Sequence, residues 1–404
     1  MSSPGLIPVD EALRRLLADV EPIPETDEVS LAEAGGRVLA EPVVAGRTQP
    51  DFDASAMDGY AVRAADTLTG GALDLIGASA AGRAFAGAIE PGQCVRIFTG
   101  APVPTGADAV LIQENTRFED GRCLPLEPVE PGRNIRRAGN DFARGDALIA
   151  AGSVMTPGRV ALAASAGRPT LLVRRRPRVA VLATGDELVL PGDVVGPSQI
   201  VASNSFGVAA FARTKGATVL DYGIAPDDEA VIGASLDRAA AEGIDVFVTI
   251  GGASVGDHDL IGPVLASRGV ALDFWKVRMR PGKPLMAGRL GPMRILGLPG
   301  NPASALVTAV LFLEPLLLCL AGRPAASREE VGILGADVPA NDGRQDFVRA
   351  TLSLRDDGRI EVVPLPRQDS SLLSTYASAD GLLVRPVEAL PARRGDPCRF
   401  IRLD

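Results

Sequence analysis

MRILGLPGNPASA (residues 293–305) reads as a short, largely apolar strand that passes through Pro-Gly-Asn-Pro into a long helix. An apolar run of this length, closed by Pro and Gly, is the signature of a strand buried on both faces. Asn301 is a good N-cap and Pro302 a good first helical residue, so the expected helix start presents free backbone N–H groups toward an anion. The same rhythm precedes it. RVAVLAT (178–184), ATVLDYG (217–223) and IDVFVTI (244–250) read as strands, and 205–214, 227–241 and 260–267 as helices. Apolar strands that cross over through helices predict a parallel α/β sheet.

Outward from this core the texture changes. RRRPR (174–178) reads as a solvated hinge. Before it, an amphipathic helix fits 10–20, PIPET is a link, and a second helix is expected around 31–39. From about 48 to 143, short apolar runs such as ALDLIGASAAG and GQCVRIFTG alternate with Gly, Pro and Asp, which suggests a mostly β module. Residues 147–173 return to alanine-rich, helix-forming sequence, so the β module reads as an insertion. Beyond Arg323, RQDFVRATLSL, RIEVVPL, GLLVRP and PCRFIRL indicate a small β domain. The expected fold class is therefore multidomain α/β. A discontinuous, mostly helical domain (1–45 and 146–177) holds an inserted mostly β domain (46–145). A central parallel-sheet α/β domain (178–325) and a C-terminal β domain (326–404) follow.

Composition excludes several classes. Hydrophobic content of 46% and charged content of 23% are those of a folded globular chain. A net charge of −9 argues against broad nucleic-acid binding, so an anionic ligand would need a local positive pocket. Cys94, Cys123, Cys319 and Cys398 are scattered with no CxxC pair, and His258 is the single histidine, so a multi-histidine metal site is excluded. The N-terminal MSSPGLIPVDEALRRLL has acidic residues where a secretory signal needs a basic region and an apolar core, which makes the cytoplasm the expected compartment. The apolar run 303–321 carries Glu314-Pro315 and reads as a buried helix, kinked or ended there, rather than a membrane span.

Chemistry concentrates at three strand ends, where open α/β sheets bind ligands. Gly185-Asp186-Glu187 follows the first. GGASVGDHD (251–259) follows the third: Gly251 and Gly252 allow close backbone approach to a phosphate, Ser254 offers a hydroxyl, and Asp257 and Asp259 offer carboxylates. Pro299-Gly300-Asn301-Pro302 follows the fourth. Hard oxygen donors without paired cysteine or clustered histidine favour Mg²⁺ over a transition metal. Only three lysines occur, Lys215, Lys276 and Lys283, and the last two lie in FWKVRMRPGKP. A position that keeps lysine against so strong an arginine bias calls for a compact, three-donor ammonium.

These motifs, with DASAMDGYAVRA (53–64), FTGAPVPTGADAV (98–110), GRNIRRAGNDFARGD (132–146) and PGKP (281–284), occur in the order seen in MoeA-type molybdopterin molybdenumtransferases. The chain resembles that family, and with it the gephyrin E domain, from Asp10 nearly to its end. The resemblance implies insertion of molybdate into the dithiolene of adenylylated molybdopterin, with Mg²⁺-dependent release of AMP. It also implies a homodimer whose sites are completed by the partner's inserted domain, transient contact with other molybdenum cofactor biosynthesis proteins, and neither nucleic-acid nor membrane partners. By motif it assigns catalytic roles to Glu187, Asp58, Asp141, Lys276 and Lys283. Substrate binding falls to Thr99, Gly251, Gly252, Ser254, Arg280, Pro299, Pro302, Ser304, Arg349 and Ser370, and the metal to Asp227, Asp259 and Glu187. The alternatives are a molybdopterin-binding scaffold and an enzyme resembling the molybdopterin adenylyltransferases. Three positions depart from the family pattern: Arg280 replaces the first lysine of KPGKP, His258 stands where an aromatic is common, and Asp369 precedes Ser370.

Overall fold

The computed structural model describes residues 6–252, 260–325 and 328–403, which form two compact units, Met1–Asp27 with Arg174–Asp404 and Glu28–Val173.

The first unit is built on a six-stranded sheet in the order Thr218–Ala225, Arg178–Thr184, Val246–Ile250, Met293–Leu298, Met286–Leu290, Ala271–Trp275. The first four strands are parallel, as the strand–helix rhythm predicts. The last two are antiparallel and form the edge. Val246–Ile250 and Met293–Leu298 are buried at every position, which explains runs that are apolar apart from Thr249 and Arg294. Alternation of side chains divides the core in two. Val179 and Val181 pack with Val208, Ala212, Ala305 and Val307, whereas Ala180 and Leu182 pack with Ile232, Leu236, Ile261 and Val264.

The helix Val9–Leu17 joins this unit, burying Val9, Ala12 and Leu16 against the first layer. The apolar run predicted as a buried helix spans Pro302–Leu320 and is 78% buried. It is continuous, with a π segment at Ala309–Leu313 immediately before Glu314-Pro315. The wider turn gives the proline ring room that a regular helix lacks. Glu314 is 5% exposed and meets Lys215 Nζ at 3.2 Å and the Arg328 guanidinium. The third lysine is thus an internal counter-charge.

The C-terminal strands close on themselves: Gln345–Leu354, Ile360–Pro364, Glu329–Leu334, Pro397–Arg402 and Gly381–Arg385, the last pairing back to the first. A two-residue strand of the α/β domain, Met279–Arg280, adds in parallel to this barrel opposite Gln345 and Asp346.

In the second unit, a six-stranded sheet runs Ala109–Ile112, Gly59–Val62, Gln93–Ile97, Leu73–Ser79, Arg122–Pro125, Thr116–Glu119. The chain enters and leaves this module side by side, because Val43–Val44 pairs antiparallel with Ala147–Ile149. The helix expected at 31–39 is a single 3₁₀ turn, Leu31–Glu33. Gly35-Gly36, with Gly36 at φ 74°, ends it. Within 147–173 the helix is confined to Pro157–Ser165, with the Thr156 hydroxyl accepting from Arg159 N–H and Pro157 at its start.

Candidate functional site

The carboxyl ends of the parallel strands bring two acidic loops together. Thr184 lies opposite Ala225 in the ladder, so the loops carrying Asp186-Glu187 and Asp227 leave the sheet as neighbours. Asp186 Oδ1 accepts the Asp227 backbone N–H at 3.0 Å. Asp228, not Asp227, caps the next helix, accepting from Ala230 and Val231 N–H at 2.7 and 3.1 Å. Glu187 is exposed, and its carbonyl accepts from Ile200 N–H at 2.8 Å. Glu187 lines a cavity of about 430 Å³ together with Thr184, Gly251, Asn301, Pro302 and Ser371. The donors here are hard oxygens, the kind that Mg²⁺ takes, but among the described residues no group of three or more candidate metal ligands comes together. Glu187 and Asp227 are the described members. Asp259 and Ser254, like Asp257 and His258, lie outside the described residues.

The glycines at the neighbouring strand end are required by packing. Gly251 and Gly252 have φ of 99° and 60°. A side chain on Gly251 would lie 2.5 Å from the Thr184 carbonyl, and one on Gly252 would lie 2.9 Å from Ile261 Cγ1. Gly251 also approaches Gly300, so the second and third loops touch. Thr184 Oγ1 is buried beneath them without a hydrogen-bond partner among the described residues.

At the helix start the structure departs from simple capping. Pro302 is the first helical residue, as predicted, but Asn301 makes no side-chain cap. Its Nδ2 donates to Ser370 Oγ at 2.9 Å, and the Ser370 carbonyl accepts Ala303 N–H at 3.0 Å. One of the helix-start donors offered to an anion is therefore taken by the C-terminal domain. Pro299 is buried beside this turn.

Ser370 leads to Arg349, which is 2% exposed. Its Nη2 donates to the Asp369 carbonyl at 3.1 Å, and its Nε has no partner among the described residues. Burial pushes its pKa below the usual guanidinium value, with the Asp369 charge acting the other way. The Asp369 carboxylate turns away, accepting from Ser371 Oγ at 2.6 Å and Ser371 N–H at 2.8 Å. Those bonds hold it below the ordinary carboxylate range, and they explain how an acid is tolerated at this departure from the family pattern.

The lysine turn lies on the same helix. Gly282, at φ 107°, approaches Thr308 so closely that a side chain would sit 2.5 Å from its methyl group. Thr308 Oγ1 in turn donates to the Ser304 carbonyl at 2.8 Å, one turn nearer the helix start. Lys276 N–H donates to Leu285 O at 2.9 Å and Val277 N–H to Lys283 O at 3.0 Å, which closes the loop. Lys283 is exposed, Lys276 is half-buried with φ of 80°, and Ser304 is buried. Arg280 ion-pairs with Asp346 and Asp342. Arg280 and Arg349 line one cleft of about 460 Å³.

In the second unit Asp58 and Thr99 form a pair. Asp58 Oδ1 accepts both Thr99 N–H, at 2.7 Å, and Thr99 Oγ1, at 2.9 Å, so Thr99 orients the carboxylate. These bonds and the Arg96 charge hold Asp58 below its ordinary pKa. Arg96 donates to the Gly59 carbonyl at 2.9 Å and to Gln113 Oε1 at 2.6 Å. Asp141 is exposed, with its N–H bonded to the Gln49 carbonyl at 3.0 Å. Motif reading misses the supporting residues Arg96, Gln113 and Asp346. Asp186, which holds the Asp227 backbone, is already singled out with Glu187 by its place at a strand end.

Three family profiles match successive parts of the chain: the MoeA N-terminal region (domain I and II) at 7–167, a probable molybdopterin binding domain at 180–318, and the MoeA C-terminal region (domain IV) at 331–403. Curated relatives include the molybdopterin molybdenumtransferase of Haemophilus influenzae, 36% identical over 94% of both chains. Molybdopterin molybdenumtransferase 2 of Mycobacterium tuberculosis is 39% identical over 91% of this chain and 92% of that one. Among solved structures, a molybdopterin biosynthesis MoeA protein from Pyrococcus horikoshii OT3 superposes with a TM-score of 0.83 at 29% identity, covering 99% of this chain and 100% of that one.

Proposed function

Given that the chain belongs to the MoeA family, we propose that it transfers molybdenum from molybdate to the dithiolene of adenylylated molybdopterin, with release of AMP. It is an enzyme of the molybdopterin molybdenumtransferase kind. The observation that carries the finer reading is the run of bonds from Arg349 through Asp369 and Ser370 to Asn301. It joins a buried cation of the barrel to the helix start at the carboxyl ends of the sheet.

Molybdate is a small tetrahedral dianion and needs several converging donors. Lys283 supplies a point charge, Arg349 a fork, and Ser370 and Ser304 hydroxyls from the helix-start region. Lys276, in the same loop, keeps the catalytic role that its motif implies. The cavity carrying Glu187 would take the phosphoanhydride. Glu187 and Asp227 would hold Mg²⁺ there, which when bound supplies charge neutralisation at the phosphate oxygens. Asp186 fixes the backbone of Asp227 before any ligand arrives, so less ordering remains to be done on binding.

The active form is proposed to be a homodimer in which the partner's inserted module brings Asp58 and Asp141 to the site. Incubating the protein with adenylylated molybdopterin, Mg²⁺ and molybdate should release AMP, and omitting molybdate should sharply reduce it. Release that ignores molybdate would point to a nucleotide-processing enzyme, and no release to a carrier. Mixing inactive Asp58→Ala and Lys283→Ala chains should restore activity in heterodimers. Verified heterodimers that stay inactive would refute sharing.

A further inference from the structure

The first cation of the RPGKP turn is already engaged. Arg280 Nη2 donates to Asp346 Oδ2 in a short contact, and Nη1 donates to Asp342 Oδ2 at 3.3 Å. The backbone sets this up. Met279 and Arg280 run parallel to Gln345 and Asp346, with Arg280 opposite Asp346, and Gln345 N–H donates to Arg278 O at 3.0 Å. Asp346 is 6% exposed, and its Oδ1 has no hydrogen-bond partner among the described residues. A buried carboxylate that lost the guanidinium would be left uncompensated, a costly state that keeps the pair closed. A planar fork reaches both carboxylates at once, which a compact ammonium cannot do with the same geometry. Arg349 lies three residues along the same strand and lines the same cleft, yet its Nε is unpartnered among the described residues.

We propose that Asp346 withholds Arg280 from the oxyanion, so that Arg280 positions the turn while Lys283 and Arg349 hold the anion. The inference rests on the oxyanion reading of the preceding subsection. Arg280 held by Asp346 and Asp342 presents no net positive charge to a dianion, and Asp346, the buried partner, limits the affinity of this site most.

The test is calorimetric titration of the full-length protein with sodium molybdate. Asp346→Asn should bind molybdate about tenfold more tightly than the native protein, the gain of roughly one charge-assisted contact. Adding Arg280→Ala to Asp346→Asn should remove that gain, and should cost markedly more there than in the native background. An affinity that is unchanged or weaker in Asp346→Asn, or a gain that survives loss of Arg280, overturns the proposal. If Asp346→Asn does not fold, the exposed Asp342→Asn serves the same comparison: a smaller gain that depends on Arg280 supports the proposal and its absence overturns it. A native protein that binds no molybdate would instead sink the oxyanion reading itself.

Discussion

Asp186 holds Asp227 in place: its Oδ1 accepts the Asp227 backbone N–H at 3.0 Å and ties together the loops of two adjacent parallel strands. Asp227→Asn should therefore lose most Mg²⁺-dependent AMP release with no change in circular dichroism. Asp186→Ala should raise the Mg²⁺ concentration needed for half-maximal rate, because the second carboxylate is no longer fixed. A magnesium titration of both variants checks this, and an unaltered requirement in Asp227→Asn removes that residue from the metal's ligands.

Lys283 is exposed on a turn anchored at both ends by backbone bonds. Losing one charge-assisted contact costs roughly 1.5–3 kcal/mol, about ten- to a hundredfold in affinity. Lys283→Ala should weaken molybdate binding by that factor while AMP affinity falls much less. Titration with each ligand separates the two. Equal losses would reassign the lysine to the phosphate.

The acidity of Asp58 depends first on Thr99 N–H and then on the Thr99 hydroxyl. Thr99→Val removes the second bond and leaves the first, so the Asp58 pKa rises toward its ordinary value. Because a depressed carboxyl is lost as pH falls through its folded pKa, the acid limb of the activity profile should move to higher pH. Rate against pH for both proteins gives the answer, and an acid limb that stays put would mean that Asp58 ionisation does not govern activity.

Gly251→Ala should be destabilising by about 1–3 kcal/mol, since φ of 99° disfavours a side chain and its Cβ would meet the Thr184 carbonyl at 2.5 Å. Gly70→Ala, at φ 65° with open space around it, should cost less. Urea midpoints for the pair decide whether close approach, rather than φ alone, dominates.

Strand identity was legible because strands buried on both faces are dominated by apolar residues, with few exceptions such as Thr249 and Arg294. RVAVLAT and IDVFVTI coincide with Arg178–Thr184 and Val246–Ile250 to within two residues at either end. The 3₁₀ turn at Leu31–Glu33 was not, because alanine and leucine composition there favours helix while Gly35-Gly36 and tertiary contacts with Met155 override it. The site divides in the same way. Glu187 and Pro302 stand at a strand end and a helix start, where position along the chain predicts position in space. Asp346 and Gln113 act through partners 66 and 17 residues away, a relationship no local pattern encodes.

The parallel pairing of Met279–Arg280 with Gln345–Asp346 makes the barrel a splint for the lysine loop. A chain shortened before Gln345 would keep every strand of the α/β sheet and still lack the ladder that braces Met279 and Arg280, just before Lys283. The stance of that turn is therefore set by barrel residues 66 positions further along the chain.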